Sequence, residues 1–227
     1  MLWSEGSRIA LLACGSFNPP TLMHLRMLEV AKNYLEHNLR CAVVDGIMSP
    51  VADSFGKPYL ASASHRIAMV RAASETSSWI RVDDWECVQP RWSRTLSVMK
   101  HHRKELRERF GPDTNIALVV GGDVVDSFTK ILPNGDDLWN PEEVREIITE
   151  FGLIVISRDG SNPVYTLSSM DALRDVADMV QLVVDEVCPC AVSSTKLRSA
   201  IAGGKSIMYT TPNDVIKYIH ANKLYKM

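Results

Sequence analysis

Three segments of this 227-residue chain carry residue types suited to work on phosphate. The first reads Cys14-Gly15-Ser16-Phe17-Asn18-Pro19-Pro20-Thr21-Leu22-Met23-His24, between an apolar run over 9–13 and a helical pattern that starts near Leu22. A strand, a glycine turn and a helix N-terminus in that order gather unpaired backbone N–H groups, a positive dipole end and an imidazole in one small volume. An anionic phosphate suits that volume. Gly15 lets the backbone approach a ligand closely, while Pro19-Pro20 stiffens the loop and removes two competing donors. His24, in the first helical turn, can donate to a phosphate oxygen; a local capping bond is the plainer use of such a residue.

The second segment is Val192-Ser193-Ser194-Thr195-Lys196-Leu197-Arg198. Ser193 or Ser194 is a natural helix N-cap. A cap needs one hydroxyl, however, and here three precede two cations. Ser194 and Thr195 fall one turn before Arg198, so hydroxyls and guanidinium share a helix face. Together with the N–H groups of a helix start, they would cradle a polyphosphate. The third segment, Val120-Gly121-Gly122-Asp123, follows a strand. Its glycines permit close approach, and Asp123 could accept from a ribose hydroxyl, hold a hydrated metal or cap a helix. Two familiar phosphate motifs are excluded. Gly204-Lys205-Ser206 lacks the upstream glycine and the strand of a P-loop, and no G-x-G-x-x-G follows the first strand.

Positioning these segments calls for alternating strands and helices. Short Val- and Ile-rich runs, mostly without polar alternation, predict strands covered on both faces over 8–13, 41–47, 79–82, 116–120, 153–157 and 180–184. Amphipathic stretches between them predict helices over 22–36, 65–75, 91–110, 141–151 and 167–177. Pro141 at a first helical position, followed by Glu142 and Glu143, marks one helix start. Two further helices, 194–202 and 213–222, close the pattern. The alternation predicts an α/β fold with a doubly wound parallel sheet and right-handed crossovers. A single domain over 1–227 is expected, its C-terminal helical part over 190–227 contributing the second motif.

Composition narrows the class. With 46% apolar and 23% charged residues and a net charge of −2, the chain has neither the basic balance of a general nucleic-acid binder nor that of a membrane-surface protein. No apolar run approaches the ~20 residues of a spanning helix, and the N-terminus lacks a signal-peptide pattern. The five cysteines are expected to be reduced thiols, because Cys188-Pro189-Cys190 lacks zinc-knuckle spacing. Adjacent His101 and His102 would face different directions on a helix and so would not pair on a metal.

Taken together, the segments resemble the eukaryotic-type nicotinamide mononucleotide adenylyltransferases of the nucleotidyltransferase superfamily. In that family G-S-F-N-P-x-T-x-M-H-L-R follows the first strand and S-S-T-K-[IL]-R opens a late helix. Here they read Gly15-Ser16-Phe17-Asn18-Pro19-Pro20-Thr21-Leu22-Met23-His24-Leu25-Arg26 and Ser193-Ser194-Thr195-Lys196-Leu197-Arg198. The match continues through Gly46-Ile47-Met48-Ser49-Pro50-Val51, Asp83-Asp84-Trp85-Glu86, Gly121-Gly122-Asp123, Leu138-Trp139 and Ser157-Arg158. In the superfamily pattern H-x-G-H, Thr21 and Met23 take the first histidine and the glycine, leaving His24 as the motif histidine.

The resemblance implies a Rossmann-like nucleotidyltransferase fold. It implies that ATP and nicotinamide mononucleotide (or its nicotinic acid counterpart) give NAD (or deamido-NAD) and pyrophosphate by direct in-line attack. It assigns catalysis to His24, Lys57 and Arg198. ATP would be held by Gly15, Ser16, Phe17, His24, Gly121, Asp123, Ser194, Thr195, Lys196, Leu197 and Arg198. The mononucleotide would meet Ser16, Lys57, Trp92, Thr95, Leu138, Trp139 and Arg158. Trp92 and Thr95, read as i,i+3 at a helix start, would share a face, with the indole stacked on the pyridinium ring. Mg²⁺ would travel with ATP, with no dedicated protein ligand set and no tightly bound organic cofactor. The expected partners are these small molecules, without nucleic acid or membrane; homo-oligomers are known among such relatives. The chain is short between Phe110 and Asn115, where some relatives carry a nuclear-targeting insertion, so a cytoplasmic address is expected and a mitochondrial one is left open.

Three alternatives and two departures accompany this reading. The acceptor could instead be phosphopantetheine or a choline phosphate, or the chain could serve as a nucleotide-binding chaperone or scaffold. Cys190 stands where relatives commonly have an asparagine near the adenine, and Gly122 replaces a more usual alanine, a change expected to be harmless.

Overall fold

Unbroken apolar runs become strands when both faces are covered, and this is what the computed structural model displays over its described residues, 2–132, 135–188 and 192–226. One sheet holds β1 (Arg8–Gly15), β2 (Ala42–Pro50), β3 (Ile80–Val82), β4 (Asn115–Gly121), β5 (Leu153–Ile156) and β6 (Gln181–Val183). The order is β3-β2-β1-β4-β5-β6. The β1–β4, β2–β3, β4–β5 and β5–β6 pairings are parallel, with Ile9 opposite Asn115, Gly46 opposite Ile80, Leu118 opposite Leu153 and Ile154 opposite Gln181. This is the doubly wound order, in which ligands gather beyond the C-terminal strand ends. The 15–20 loop leaves the C-terminal end of β1.

The helices are α1 (Leu22–Asn33), α2 (Ala63–Ser74), α3 (Thr95–Phe110), α4 (Gly122–Val125), α5 (Pro141–Glu146), α6 (Pro163–Ser169), α7 (Ser194–Ala202) and α8 (Asn213–Ala221). Single π-helical turns, Tyr34–Asn38 and Ile147–Phe151, extend α1 and α5 to the lengths expected of them. Pro141 does sit at the start of α5, capped by the Asn140 side chain.

Two expected helices are corrected. The one read over 91–110 starts only at Thr95. Residues 91–94 form a bend and irregular backbone, consistent with proline's missing donor and the preference of serine for non-helical ends. The helix read over 167–177 is replaced by α6 and a 3₁₀ turn, Arg174–Met179. Asn162 caps α6 by accepting from the Tyr165 N–H, and the Ser168 and Ser169 hydroxyls bond back to the carbonyls of Tyr165 and Thr166 where the helix stops.

The chain forms two compact units. Unit 1 comprises Met1–Leu12, Met27–Val44 and Thr95–Pro189; unit 2 comprises Ala13–Arg26, Asp45–Arg94 and Cys190–Met227. In unit 1 the strand residues Leu118, Val119, Ile154 and Val155 are buried, as are Ile148 and Phe151. In unit 2, Met69 and Ala73 of α2 close a core with Leu197 of α7 and Val215, Ile216 and Ile219 of α8. Among the described residues no helix is long and apolar enough to cross a membrane.

Gly152, between the end of α5's π-turn and β5, has φ +97° and lies against the buried Trp3 ring, into which a Cβ would run. Gly152→Ala therefore meets both backbone strain and overpacking, and should cost about 2–4 kcal/mol. Thermal melting checks this; an unchanged midpoint would contradict the packing described.

Candidate active site

The 15–20 loop is held by its carbonyl oxygens. Val51 N–H donates to the Gly15 carbonyl at 3.0 Å, and Arg66 Nη1 to that of Ser16 at 3.3 Å. Arg198 Nη1 donates to Asn18 O at 2.9 Å, Ser194 Oγ to Pro19 O at 2.7 Å and Thr211 Oγ1 to Pro20 O at 2.8 Å. These donors come from segments far apart in sequence, all within unit 2. Two expected motifs are thereby joined, since Ser194 and Arg198 of α7 bind the backbone of the first motif directly. The Asn18-Pro19 peptide is cis, and Phe17 has φ +43°. The Phe17 ring lies over Gly15, where a Cβ would sit 3.3 Å from it, and its edge meets the His24 ring at 5.1 Å. Phe17 is buried, so its side chain supports His24 and leaves its backbone for a ligand.

Of the two uses that the sequence offered for His24, the structure displays the local cap. Its Nδ1 accepts from the Thr21 N–H at 2.9 Å, a reciprocal cap of α1, with Thr21 Oγ1 at 2.8 Å from the same nitrogen. An accepting Nδ1 fixes the neutral tautomer with its proton on Nε2, so the ring presents an N–H donor there. The expectation of unpaired N–H groups at the start of α1 is corrected. Thr21 N–H goes to His24, Leu22 N–H to Thr210 O and His24 N–H back to Thr21 O.

Helix α7 is better provided. Ser193 is its N-cap, accepting from Lys196 N–H at 3.3 Å. The N–H groups of Ser194 and Thr195 then fall at first-turn positions that have no partner within a helix. Thr195 Oγ1 accepts from Arg198 Nη2 at 3.4 Å, as the i,i+3 spacing predicted. Lys196 is exposed. Leu197 differs from expectation: its side chain is buried in the unit 2 core and its N–H is taken by Ser193 O, so it supports the helix rather than a ligand.

Lys57 lies on an exposed loop after Gly56. That loop is tied to the first motif through Asn18, whose Nδ2 donates to Tyr59 O at 2.9 Å and whose Oδ1 accepts from Ala61 N–H at 3.2 Å. Trp92 is half-buried in irregular backbone before α3. It does not share a helix face with Thr95, which begins α3 in unit 1. Instead the indole packs on Phe55 at 5.2 Å, with Arg94 5.5 Å from its centroid.

Unit 1 holds the remaining expected residues. Arg158 Nη1 donates to Asp123 Oδ1 at 3.1 Å. Gly121 makes room for that pair, since a Cβ there would sit 2.5 Å from Asp123 Oδ1 and 3.1 Å from Arg158 Cδ. Asp123 is not a cap; Gly121 occupies the N-cap position of α4. Gly122 leaves room for the Ser161 hydroxyl, which a Cβ at this position would run into. Trp139 Nε1 donates to Ser127 Oγ at 3.0 Å, and its ring lies 5.0 Å from Phe128. Leu138 beside it is half-buried, with its N–H on Lys130 O. The Cys190 position lies outside the described residues.

Sequence reasoning missed the buried polar cluster behind the loop. Arg66 is fully buried and also donates to Ala61 O, Val51 O and Asp53 Oδ1, at 2.8, 2.6 and 2.8 Å. Although burial pushes the Asp53 carboxyl up, the Ala63 N–H and Arg66 hold it below its usual range. Glu86, 3% exposed, accepts from Ser49 Oγ at 2.7 Å. Burial raises its carboxyl to about 7 against the opposing pull of Ser49 and Arg66. Burial, reinforced by Glu86, also pushes the Cys14 thiol well above its ordinary value. A charged residue in an apolar stretch of helix, as at Arg66, was the available signal.

Contrary to the sequence argument, His101 and His102 converge on Glu105, at 3.5 and 3.2 Å. Among the described residues this trio is a group with metal-ligand spacing. Imidazole donors suit transition metals, not an ion carried on polyphosphate.

A family model described as cytidylyltransferase-like matches residues 12–200. The chain is 59% identical over 220 residues to nicotinamide/nicotinic acid mononucleotide adenylyltransferase 2 of Caenorhabditis elegans, covering 96% of this chain and 98% of that one. It is 40% identical over 219 residues to nicotinamide/nicotinic acid mononucleotide adenylyltransferase of Oryza sativa subsp. japonica, covering 95% of this chain and 85% of that one. Among solved structures, nicotinic acid mononucleotide adenylyltransferase of Plasmodium falciparum, complexed with APC or with NaAD, has a TM-score of 0.65 at 18% identity, covering 96% of this chain and 97% of that one. At that identity the likeness concerns the fold.

Glu86 gives a pH prediction. Its folded pKa lies above the ordinary 4.5, so the folded state holds a proton that the unfolded state releases. Its contribution is fully present below about 4.5 and is lost as pH rises to about 7, an effect of order ~3 kcal/mol. Glu86→Gln should flatten the fall in unfolding free energy between pH 5 and pH 8 by roughly that much; parallel curves of unfolding free energy against pH for the two proteins would contradict the assignment.

Proposed function

We infer that this chain, which belongs to the cytidylyltransferase-like family and within it to the nicotinamide/nicotinic acid mononucleotide adenylyltransferases, transfers the adenylyl group of ATP to a pyridine mononucleotide. The products are pyrophosphate and NAD, or deamido-NAD from the acid. The family match over 12–200 takes in segments of both units and supports treating 1–227 as one nucleotidyltransferase domain. A cytoplasmic address accords with the short connection between Phe110 and Asn115.

In the proposed reaction a 5′-phosphate oxygen of the mononucleotide attacks the α-phosphorus of ATP as the bond to pyrophosphate breaks in line. That oxygen is already ionised, so no general base is required, and catalysis consists of positioning and charge stabilisation. The observation that carries this reading is the direct attachment of Ser194 and Arg198 to the carbonyls of Pro19 and Asn18. It sets a helix start, a guanidinium and the His24 loop on one rigid base. His24 Nε2–H and Arg198 would donate to ATP phosphates, assisted by Gly15, Ser16 and Phe17 through their backbone and by Ser194, Thr195 and Lys196. Lys57 would meet a phosphate and Trp92 the pyridine ring of the mononucleotide. The resemblance assigns ATP contacts to Gly121 and Asp123, and mononucleotide contacts to Thr95, Leu138, Trp139 and Arg158. Mg²⁺ enters as part of the ATP substrate.

Dinucleotide and pyrophosphate formation from Mg–ATP plus each mononucleotide tests the reading, and folded protein inactive with both would overturn it. His24→Ala should fold normally and lower turnover by at least ~10²-fold, the scale of one lost charge-stabilising donor; near-normal turnover would remove His24 from that role.

A further inference from the structure

Asn18 is the most heavily engaged side chain of the first motif, and one of its bonds comes from a residue that no motif contains. Its Oδ1 accepts from the Tyr225 hydroxyl at 2.7 Å. The same oxygen accepts from Ala61 N–H, the Nδ2 donates to Tyr59 O, and the main-chain carbonyl receives Arg198 Nη1. Asn18 is 1% exposed, so its own end of each bond is shielded from water, where a missing partner is costly. The Tyr225 ring packs against the unit 2 core, and its backbone is in the left-handed region at φ +62°, aiming the ring back from the turn after α8. Its hydroxyl stands in the field of both Arg198 and Arg66.

Three pieces that the proposed reaction needs in register therefore meet at one residue, two at its side-chain amide and one at its main-chain carbonyl. They are the 15–20 loop, the loop that carries Lys57, and the guanidinium of α7. Tyr225 is the fourth member, supplied by a separate segment. We propose that Tyr225 is a positioning residue for adenylyl transfer, its hydroxyl fixing the Asn18 amide so that the phosphate loop, the Lys57 loop and Arg198 hold one relative placement. The functional half of this inference rests on the reading given under Proposed function; the structural half does not. A hydroxyl acting here touches no substrate. Its loss lets the amide turn, and small misplacements of phosphate-binding groups are expensive in rate.

Tyr225→Phe removes the hydroxyl and leaves the ring in the core. Hydrogen exchange of the ligand-free protein should quicken about tenfold in the 15–20 and 59–61 segments, with α3 unchanged. The kcat/KM for both substrates should fall about tenfold, while the melting temperature moves by less than about 3 °C. Tyr218→Phe is the control, because it deletes a hydroxyl 2.9 Å from His65 Nδ1 in the same core and should leave kcat/KM unaltered. The proposal is overturned by unchanged exchange in both segments, by exchange that quickens equally throughout the chain, or by equal losses of kcat/KM in the two tyrosine variants. If the unsubstituted protein forms no dinucleotide, the proposed reaction fails, and the exchange measurement still decides whether Tyr225 fixes the loop.

Discussion

The carbonyl oxygens of the 15–20 loop are drawn into the protein, and the rest of unit 2 is arranged around that constraint. An anion repels carbonyl oxygens and attracts N–H groups, so a phosphate-binding loop must dispose of its acceptors before it can offer its donors. Here the acceptors of Gly15, Ser16, Asn18, Pro19 and Pro20 are taken by Val51, Arg66, Arg198, Ser194 and Thr211. The five donors arrive from four places in the chain, so the loop has its shape only when the residue after β2, α2, α7 and the segment before α8 are assembled. The packing of α2, α7 and α8 about Met69, Leu197 and Val215 is thus also a condition for the site.

A fully buried guanidinium is the costliest part of this arrangement, because isolated buried charge is strongly unfavourable. Arg66 is tolerated because its donors meet four acceptors with good geometry, including the Asp53 carboxylate. Glu86 is the complementary case. Without a comparable set of donors its carboxyl is pushed up to about 7 by burial. The same surroundings keep the Cys14 thiol protonated next to Gly15, and a protonated thiol is a poor nucleophile. In the proposed reaction, what remains for catalysis is placement of phosphates among N–H groups, hydroxyls and cations.

The alternation of covered strands and helices, and the helix starts at Leu22 and Ser194, were legible in the sequence because both follow from local pattern. Apolar runs without alternation mark covered strands, and glycine, hydroxyl and cation spacing marks helix starts. The helix boundary before Thr95 was not legible, since Trp92 fits an apolar helical stripe as well as it fits the Phe55 contact that the fold gives it. The fate of α1's first-turn N–H groups depended on Thr210, almost two hundred residues away. Leu197 shows the converse. Lying inside a phosphate motif, it reads as a ligand contact, yet its apolar side chain goes where apolar side chains go. Arg66, Glu86 and Tyr225 act through partners brought close only by the fold, and no spacing rule marks such residues.

The account holds that the protein positions two nucleotides and supplies no nucleophile of its own. Stereochemistry at the transferred phosphorus tests this most directly. With ATP made chiral at its α-phosphorus by a single sulfur substitution, one in-line displacement inverts the configuration in the dinucleotide product, and inversion is the predicted result. Retention would require two displacements through a covalent enzyme intermediate, and would contradict the account.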